Sequence, residues 1–525
     1  MIRCKYRRAT AGVVLGIVCS LGFAGASLAQ GSAIYDLVIA GGTVVDPESH
    51  LNAIRNVGIK DGRVVAVTSA KLSGKRVVDA KGLVVAPGFI DLHAHGQSIA
   101  ADRMQAFDGV TTALELESGI LPISAWYAAQ AKSGRVLNYG ASAAWTFSRI
   151  AVLEGLAPEP DLLWFQKAFS YSKWVNDSAT PEQVRKIVAN LEQGINEGSL
   201  GIGINAGYAP GGGYKELMAV NALAAKYRVP TFIHISGEYP TDPNSAAESV
   251  GNVISIAATT GSQSHICHIH SSSMKDVETT RAMVLAAQKL GLPITTEAYT
   301  YGAASTTIGA AFFSEEARRR NSISTSSIEL NGKPLDDASF AKLRAEAPGT
   351  AIVQHFLKLP EEQAILDQSI LLPGAAIASD AMPWLNKKTG LPIDPNAWPL
   401  SSEAFAHPRT AGTYTRLIAQ WVRERKVMTL SDAIAKSSLI PAQILEKSVP
   451  QMQKKGRIRA GMDADIIVFD FNTVKDQATF TQPYLKAVGM KYVFVNGVPI
   501  IAGGELVLDA LPGKPIRRSV AASGR

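Results

Sequence analysis

The stretch GFIDLHAHGQS, residues 88–98, follows Pro87 and carries a short apolar run into two histidines spaced two apart. On a strand, that spacing points His93 and His95 to the same side, where both imidazoles can reach one ion. Alone, the pair could equally be two polar residues closing a strand. The choice depends on how the other strands end.

Outward from this stretch, residues 88–450 repeat a pattern of short apolar strand, loop and amphipathic helix. Candidate strands read GFIDLHAH, VTTALELE, LNYGASAAW, SLGIGINAG, PTFIHIS, SQSHICHIH, PITTEAYTY and GAAIASDAM, eight in all. Between the fourth and its predecessor, TPEQVRKIVANLEQGINEG reads as a helix with Thr180 as cap, Pro181 in the first turn and Gln183 completing a capping box. Such alternation predicts an α/β fold, a (β/α)8 TIM-like barrel whose active site sits where the strands end. His93 and His95 close the first candidate strand, Glu115 and Glu117 the second, His234 the fifth, His268 and His270 the sixth, and Asp380 the eighth. In a barrel these ends form a ring. Imidazoles and carboxylates meeting there suit zinc or a related divalent metal, one ion or two, with room left for a water. Residues 315–372 are too long for a plain connection and read as an insertion near the mouth; TAIVQHF within it competes for a place in the strand count.

The flanks have another texture. DLVIAGGTVVD, NVGIKDGRVVAV and RVVDAKGLVVAPG alternate β-rich runs with turn pairs, and GRIRAGMDADIIVFD and YVFVNGVPIIAGGELV repeat the style after residue 455. The two ends, 30–87 and 451–525, are therefore expected to pair into one small β-sandwich domain. Residues 1–29 set Arg3, Lys5, Arg7 and Arg8 before an apolar core and finish in Ser27-Leu28-Ala29, as a secretory signal peptide does, which predicts an exported protein, periplasmic or secreted. The alternative, an uncleaved anchor, has an apolar stretch that is short for a bilayer and broken by glycines. Without the leader, 48 basic residues face 45 acidic ones, a net charge of +3, with no basic cluster interleaved with aromatics. Neither nucleic acid nor, after signal removal, a membrane surface is indicated as a partner. Cys4 and Cys19 lie in the leader, so Cys267 alone remains and no intramolecular disulfide can form.

Together APGFIDLHAH, GVTTALELE, GSLGIGINAGYAPG, FIHISGEY, HICHIHS, TTEAYTYGA, IASDAMP, HPRTAGTY and GRIRAGMDADIIVFD resemble the amidohydrolase superfamily, and within it the N-acyl-D-amino-acid deacylases. The ELE strand, HICHIH and TTEAYTYGA look most like the D-glutamate deacylase branch. The resemblance implies hydrolysis of small N-acyl-D-amino acids, N-acyl-D-glutamate foremost, with His93, His95 and Asp380 as one metal set, His234 and His268 as another, and Asp380 as catalytic base. Many relatives bridge two metals with a carboxylated lysine on the fourth strand; SLGIGINAG has none. Others use a cysteine after the second strand, where this chain has Ser118, a poor zinc ligand. Glu117 is the expected bridge, with Glu115 on the same strand face as the alternative or as a partner holding a histidine. Arg409 matches the arginine that takes the substrate carboxylate, and Tyr299, Tyr301 and His270 are the further substrate-binding candidates. His265 and Cys267 have the opposite strand parity from His268 and are expected to face the helices; His355 and His407 are expected to be structural. Arg149 is one guess at a cation for a glutamate side chain. The competing readings are a cyclic-amide hydrolase or dipeptidase on the same scaffold, and an exported metal- or ligand-binding protein without catalysis.

Overall fold

The computed structural model describes residues 35–237 and 240–519, so the expected leader lies outside the described residues. Eight parallel strands form the barrel: Phe89–Asp91, Val110–Ile120, Asn138–Ala144, Ile202–Asn205, Thr231–His234, Ser264–Ile266, Ile294–Ala298 and Ala376–Ile377, hydrogen-bonded in that order. Seven lie within the eight apolar runs, and the second, which begins at VTTALELE, continues past Glu117 to Ile120. The ends of the ladder approach through a parallel bridge between Ala94 and Ala381, with His95 N–H donating to the Ala381 carbonyl at 2.7 Å. Asp91 reinforces this closure, accepting from the backbone N–H groups of His93 (3.2 Å) and Ser379 (3.0 Å), from Gln105 Nε2 (2.8 Å) and from the Ser379 hydroxyl. A fully buried carboxylate so well supplied with donors fixes the first and last barrel strands to each other.

The second strand is long and buried throughout, and its pairing with the third jumps from Glu115↔Ala141 to Ile120↔Ala143. The extra residues bulge towards the barrel mouth. Two glycines make room: Gly119 takes a left-handed φ of 66°, and a Cβ on Gly203 of the fourth strand would stand 2.4 Å from the Glu117 carbonyl oxygen. The helix Pro181–Asn196 has its capping box, with Gln183 N–H donating to Thr180 Oγ1 at 3.3 Å and Thr180 N–H to Gln183 Oε1 at 2.8 Å. Its apolar stripe, including Ile187, Leu191 and Ile195, packs with Trp145 and Trp174 in the layer between strands and helices.

The two ends of the chain build one continuous nine-stranded mixed sheet around a core of its own. Ile466–Phe469 runs antiparallel to Val84–Pro87, and Met490–Val495 continues outward from it. Asp465, just before that strand, accepts from Lys455 Nζ (2.5 Å), Asn138 Nδ2 (3.1 Å) and Asn496 N–H (2.7 Å), and so ties the sheet to the base of the third barrel strand. The insertion makes a separate four-stranded sheet. TAIVQHF is its strand Ala351–His355, antiparallel to Ala303–Thr307, and takes no place in the barrel. This sheet starts at Ala303, earlier than residue 315, because the chain enters it directly after the seventh barrel strand. No helix among the described residues is long and apolar enough to cross a membrane.

The HPRTAGTY segment is anchored by Asp108, at the end of the first barrel helix, Ile99–Phe107. Its carboxylate accepts from the N–H groups of Thr413 (2.8 Å), Tyr414 (2.9 Å) and Thr415 (2.7 Å), and from Thr415 Oγ1 (2.5 Å). Asp108→Ala would leave these donors buried without acceptors, at about 1–3 kcal/mol each. The variant should lose at least about 3 kcal/mol in urea unfolding; a loss under about 1 kcal/mol would show that the anchor is dispensable.

Candidate metal centre

At the barrel mouth, Glu117 stands between two pairs of imidazoles. Its Oε2 lies 3.2 Å from His93 Nε2 and 3.6 Å from His95 Nε2, while its Oε1 lies 3.1 Å from His234 Nδ1 and 2.7 Å from His268 Nε2. One carboxylate thus presents a separate oxygen to each pair. Asp380 Oδ1 approaches the first pair, 3.4 Å from His93 Nε2 and 3.5 Å from His95 Nε2. Within each pair the ring nitrogens nearly meet, at 3.0 Å for His93 and His95 and 3.1 Å for His234 and His268. Imidazole and carboxylate atoms this close suit divalent ions shared through Glu117, and the donor set is one zinc accepts.

Outer partners fix the rings. His93 Nδ1 lies 2.6 Å from Glu297 Oε1, His95 Nδ1 2.9 Å from Glu115 Oε2, and His268 Nδ1 3.0 Å from Ser272 Oγ, which turns the other nitrogen of each ring towards the centre. Asn205 Nδ2 donates to Glu117 Oε2 at 3.0 Å. Two positions leave ordinary strand geometry to reach the site: His268 has φ 27° and Asp380 φ 52°, both on the left-handed side that non-glycine residues avoid.

The electrostatics favour positive charge. Burial lowers the pKa of His93, but Asp380, then Glu117 and Glu297, outweigh it and hold the imidazole well above its ordinary value. Burial of His95 is likewise overcome, by Glu115 first and then Asp380, which raises its pKa to about 9. Burial raises Glu117, yet the charges of His93 and His268 bring it well below the carboxylate range. Asp380 is also lowered, burial being opposed most by Arg409 and then by His93. Carboxylates that stay ionised in a dry pocket demand a cation among them.

The expected residues divide into those at the centre and those behind it. His93, His95, Glu117, His234, His268 and Asp380 come together as expected. Of the two roles open to Glu115, the structure places it as the partner holding a histidine: it meets the far nitrogen of His95 and accepts from Gly119 N–H at 3.3 Å, because the bulge carries only Glu117 into the ring. His265 and Cys267 are corrected, since both face the interior, where His265 Nε2 lies 3.1 Å from Glu297 Oε2 and Cys267 stands with His93 and Glu297. Parity misleads there because the strand ends at Ile266 and the backbone turns at His268.

A cleft opens over the centre, lined by His95, Glu117, His234, His268 and Asp380 and by Phe165, Phe169, Tyr208 and Phe312, of which Tyr208 and Phe312 pack against His234. Its walls do not include Arg409, Tyr299, Tyr301 or His270. Tyr301 is turned away, its hydroxyl donating to the Gly412 carbonyl and to Asp476 Oδ2, both at 3.2 Å, under the Arg416 guanidinium. His270, fully buried in the short helix Ile269–Ser273, packs edge-on against Tyr299 at 4.1 Å, and burial, then His268 and Arg409, push its pKa well below the usual value. Arg409 is buried too and holds Asp380, through Nε to its carbonyl at 2.7 Å and through Nη2 to Oδ2 at 2.8 Å, with the guanidinium 4.4 Å from the Tyr299 ring. Its Nη1 alone has no partner. Arg149 is spent on Glu216 and on the Trp174 and Asp177 carbonyls, so it offers nothing to a ligand. His407 packs against Tyr301, and His355 pairs with Glu329 at 3.1 Å. Glu297, Asn205 and Asp91 were not anticipated. A carboxylate inside an apolar strand such as PITTEAYTY is itself a signal, because burial there requires a partner.

Comparison with known proteins places the chain in a family. The chain matches the family described as Amidohydrolase family over residues 76–157 and 180–501. It is 24% identical to the N-acyl-D-glutamate deacylase of Alcaligenes xylosoxydans xylosoxydans over 93% of this chain and 98% of that one. It is also 24% identical to the D-aminoacylase of that organism, over 89% of this chain and 94% of the relative. The crystal structure of N-acyl-D-glutamate deacylase from Bordetella bronchiseptica, complexed with zinc and a phosphonate inhibitor that mimics the tetrahedral intermediate, superposes with a TM-score of 0.72 at 21% identity, covering 92% of this chain and all of that one.

The two glutamates separate by experiment. Glu117→Gln should lose most of the zinc measured by elemental analysis, whereas Glu115→Gln should keep the stoichiometry and weaken affinity by about 10–100-fold. The reverse result would put Glu115 in the ring instead.

Proposed function

The chain belongs to the amidohydrolase family, and from that membership we propose that it hydrolyses the amide bond of N-acyl-D-amino acids to a carboxylate and a free D-amino acid. The observation that carries this reading is the Glu117 carboxylate set between two imidazole pairs, with Asp380 beside them at the floor of a cleft. The D preference rests on likeness to the relatives.

An amide needs a nucleophile at neutral pH, support for the oxyanion and a proton for the departing amine. One or two divalent ions, zinc foremost, held by His93, His95, Glu117, His234, His268 and Asp380 would supply Lewis acidity and make a water acidic enough to serve. Asp380 takes the proton. Its Oδ2 is fixed by Arg409 and its Oδ1 faces the centre, where that oxygen can accept a proton from water and pass it to the amide nitrogen. The Arg409 contact fixes the direction in which that oxygen points. Glu297 and Glu115 keep His93 and His95 oriented, and the aromatic wall limits water around the scissile bond.

For the side chain, N-acyl-D-glutamate is the candidate given by the strand motifs. A second reading, a neutral side chain, draws on the cleft itself: among the described residues its walls include no lysine or arginine to pair with a second carboxylate.

Two measurements test the proposal. Amine release from N-acetyl-D-glutamate, its L enantiomer and N-acetyl-D-leucine, with zinc supplied and a chelator control, should show chelator-sensitive turnover of a D compound only. Glutamate turnover alone supports the motif reading, leucine turnover the wall reading, and silence on all three removes the deacylase. Asp380→Asn should retain much of the zinc and lose about 10²–10⁴-fold in kcat; near-normal turnover would remove Asp380 as the base.

A further inference from the structure

A second hollow adjoins the cleft. It shares His95, Gln166 and Pro383 with the cleft as common wall, so it abuts the metal centre on the His95 side. Ile120, Trp126, Trp384, Leu385, Pro392 and Ile393 line it. Trp126 is 2% exposed and Trp384 3% exposed, and the Trp384 indole N–H has no acceptor among the described residues. A lining that is mainly aromatic and aliphatic describes a place for an apolar group.

The two hollows differ in what they could bind. The main cleft offers hydroxyls from Ser271, Ser305, Thr306 and Thr307 beside the histidines, which suits the amino-acid half with its carboxylate. Among the described residues neither wall includes a lysine or arginine; the second hollow differs in offering mainly aromatic and aliphatic surface, from Ile120, Trp126, Trp384, Leu385, Pro392 and Ile393. An amide bond held over the metal centre has two ends, and the chemistry of the walls sorts them.

Resting on the deacylase reading above, we propose that the hollow lined by Trp126 and Trp384 is an acyl subsite and that the enzyme is selective for long apolar N-acyl groups over acetyl. Six apolar side chains line the hollow, more surface than the single methyl of an acetyl group can cover. Each methylene entering it leaves water, so a chain of eight carbons should gain on the order of tenfold or more in kcat/KM over acetyl, chiefly through KM.

The test compares N-acetyl and N-octanoyl forms of D-leucine and D-glutamate on the zinc-loaded full chain, and repeats the comparison with Ile393→Glu, which brings a charge into the hollow at a half-buried position. Expected is an octanoyl preference of roughly tenfold or more that falls by on the order of tenfold in the variant. The ratio within one preparation cancels differences in folding. Equal or better turnover of the acetyl compounds would overturn the subsite while leaving the deacylase in place, as would a ratio that Ile393→Glu does not move. If no compound is turned over, the deacylase reading fails, and calorimetry with N-octanoyl-D-leucine decides the hollow separately: binding weakened by Ile393→Glu retains it as an apolar-chain site, and absent binding removes it.

Discussion

A carboxylate buried between four imidazoles is the constraint around which the upper half of this barrel is arranged. An ionised Glu117 in a water-poor site would cost several kcal/mol if left alone. Every element that meets it answers part of that cost: the first strand through His93 and His95, the fourth through Asn205, the fifth and sixth through His234 and His268. The answering groups need support in turn, which Glu297, Glu115 and Ser272 provide on the far side of three rings. The bulge in the second strand exists at a place where a regular pairing would have set Glu117 against the third strand instead of over the axis.

The barrel was legible because each of its strands is a short apolar run and most end in a residue that apolar packing would reject. His93, His95, His234, His268 and Asp380 could be placed together without knowing a single distance. Glu115 and Glu117 could not be told apart, since period-2 spacing gives them the same face, and only the bulge separates them. Parity failed at the sixth strand, where His268 turns through a left-handed backbone and His265 and Cys267 prove to face inward. The place of Tyr301 escapes the strand pattern for a different reason. Its hydroxyl is captured by Asp476, a residue 175 positions away that no local pattern connects to it.

Arg409 serves the site from behind the cleft wall. Two of its nitrogens hold Asp380, so the guanidinium sets the direction of the proposed base and keeps that carboxylate ionised. Behind it lie the Tyr299 ring and, edge-on to that ring, His270, so a shift of the tyrosine would reach Asp380 through the guanidinium alone. Positioning of this kind lies outside the cleft wall, yet the chemistry at the wall depends on it.

The terminal sheet has a consequence for how the chain reaches its native state. Val84–Pro87 lies between the N-terminal strands and Ile466–Phe469, so one edge of the N-terminal half has no partner until nearly the whole chain has been made. A pairing across so long a loop is slow to form, and an open β-edge meanwhile invites association with other chains. Synthesis from the N-terminus therefore exposes this seam for longer than any other, and a chain stopped short of residue 466 would keep its barrel strands but leave the seam permanently open.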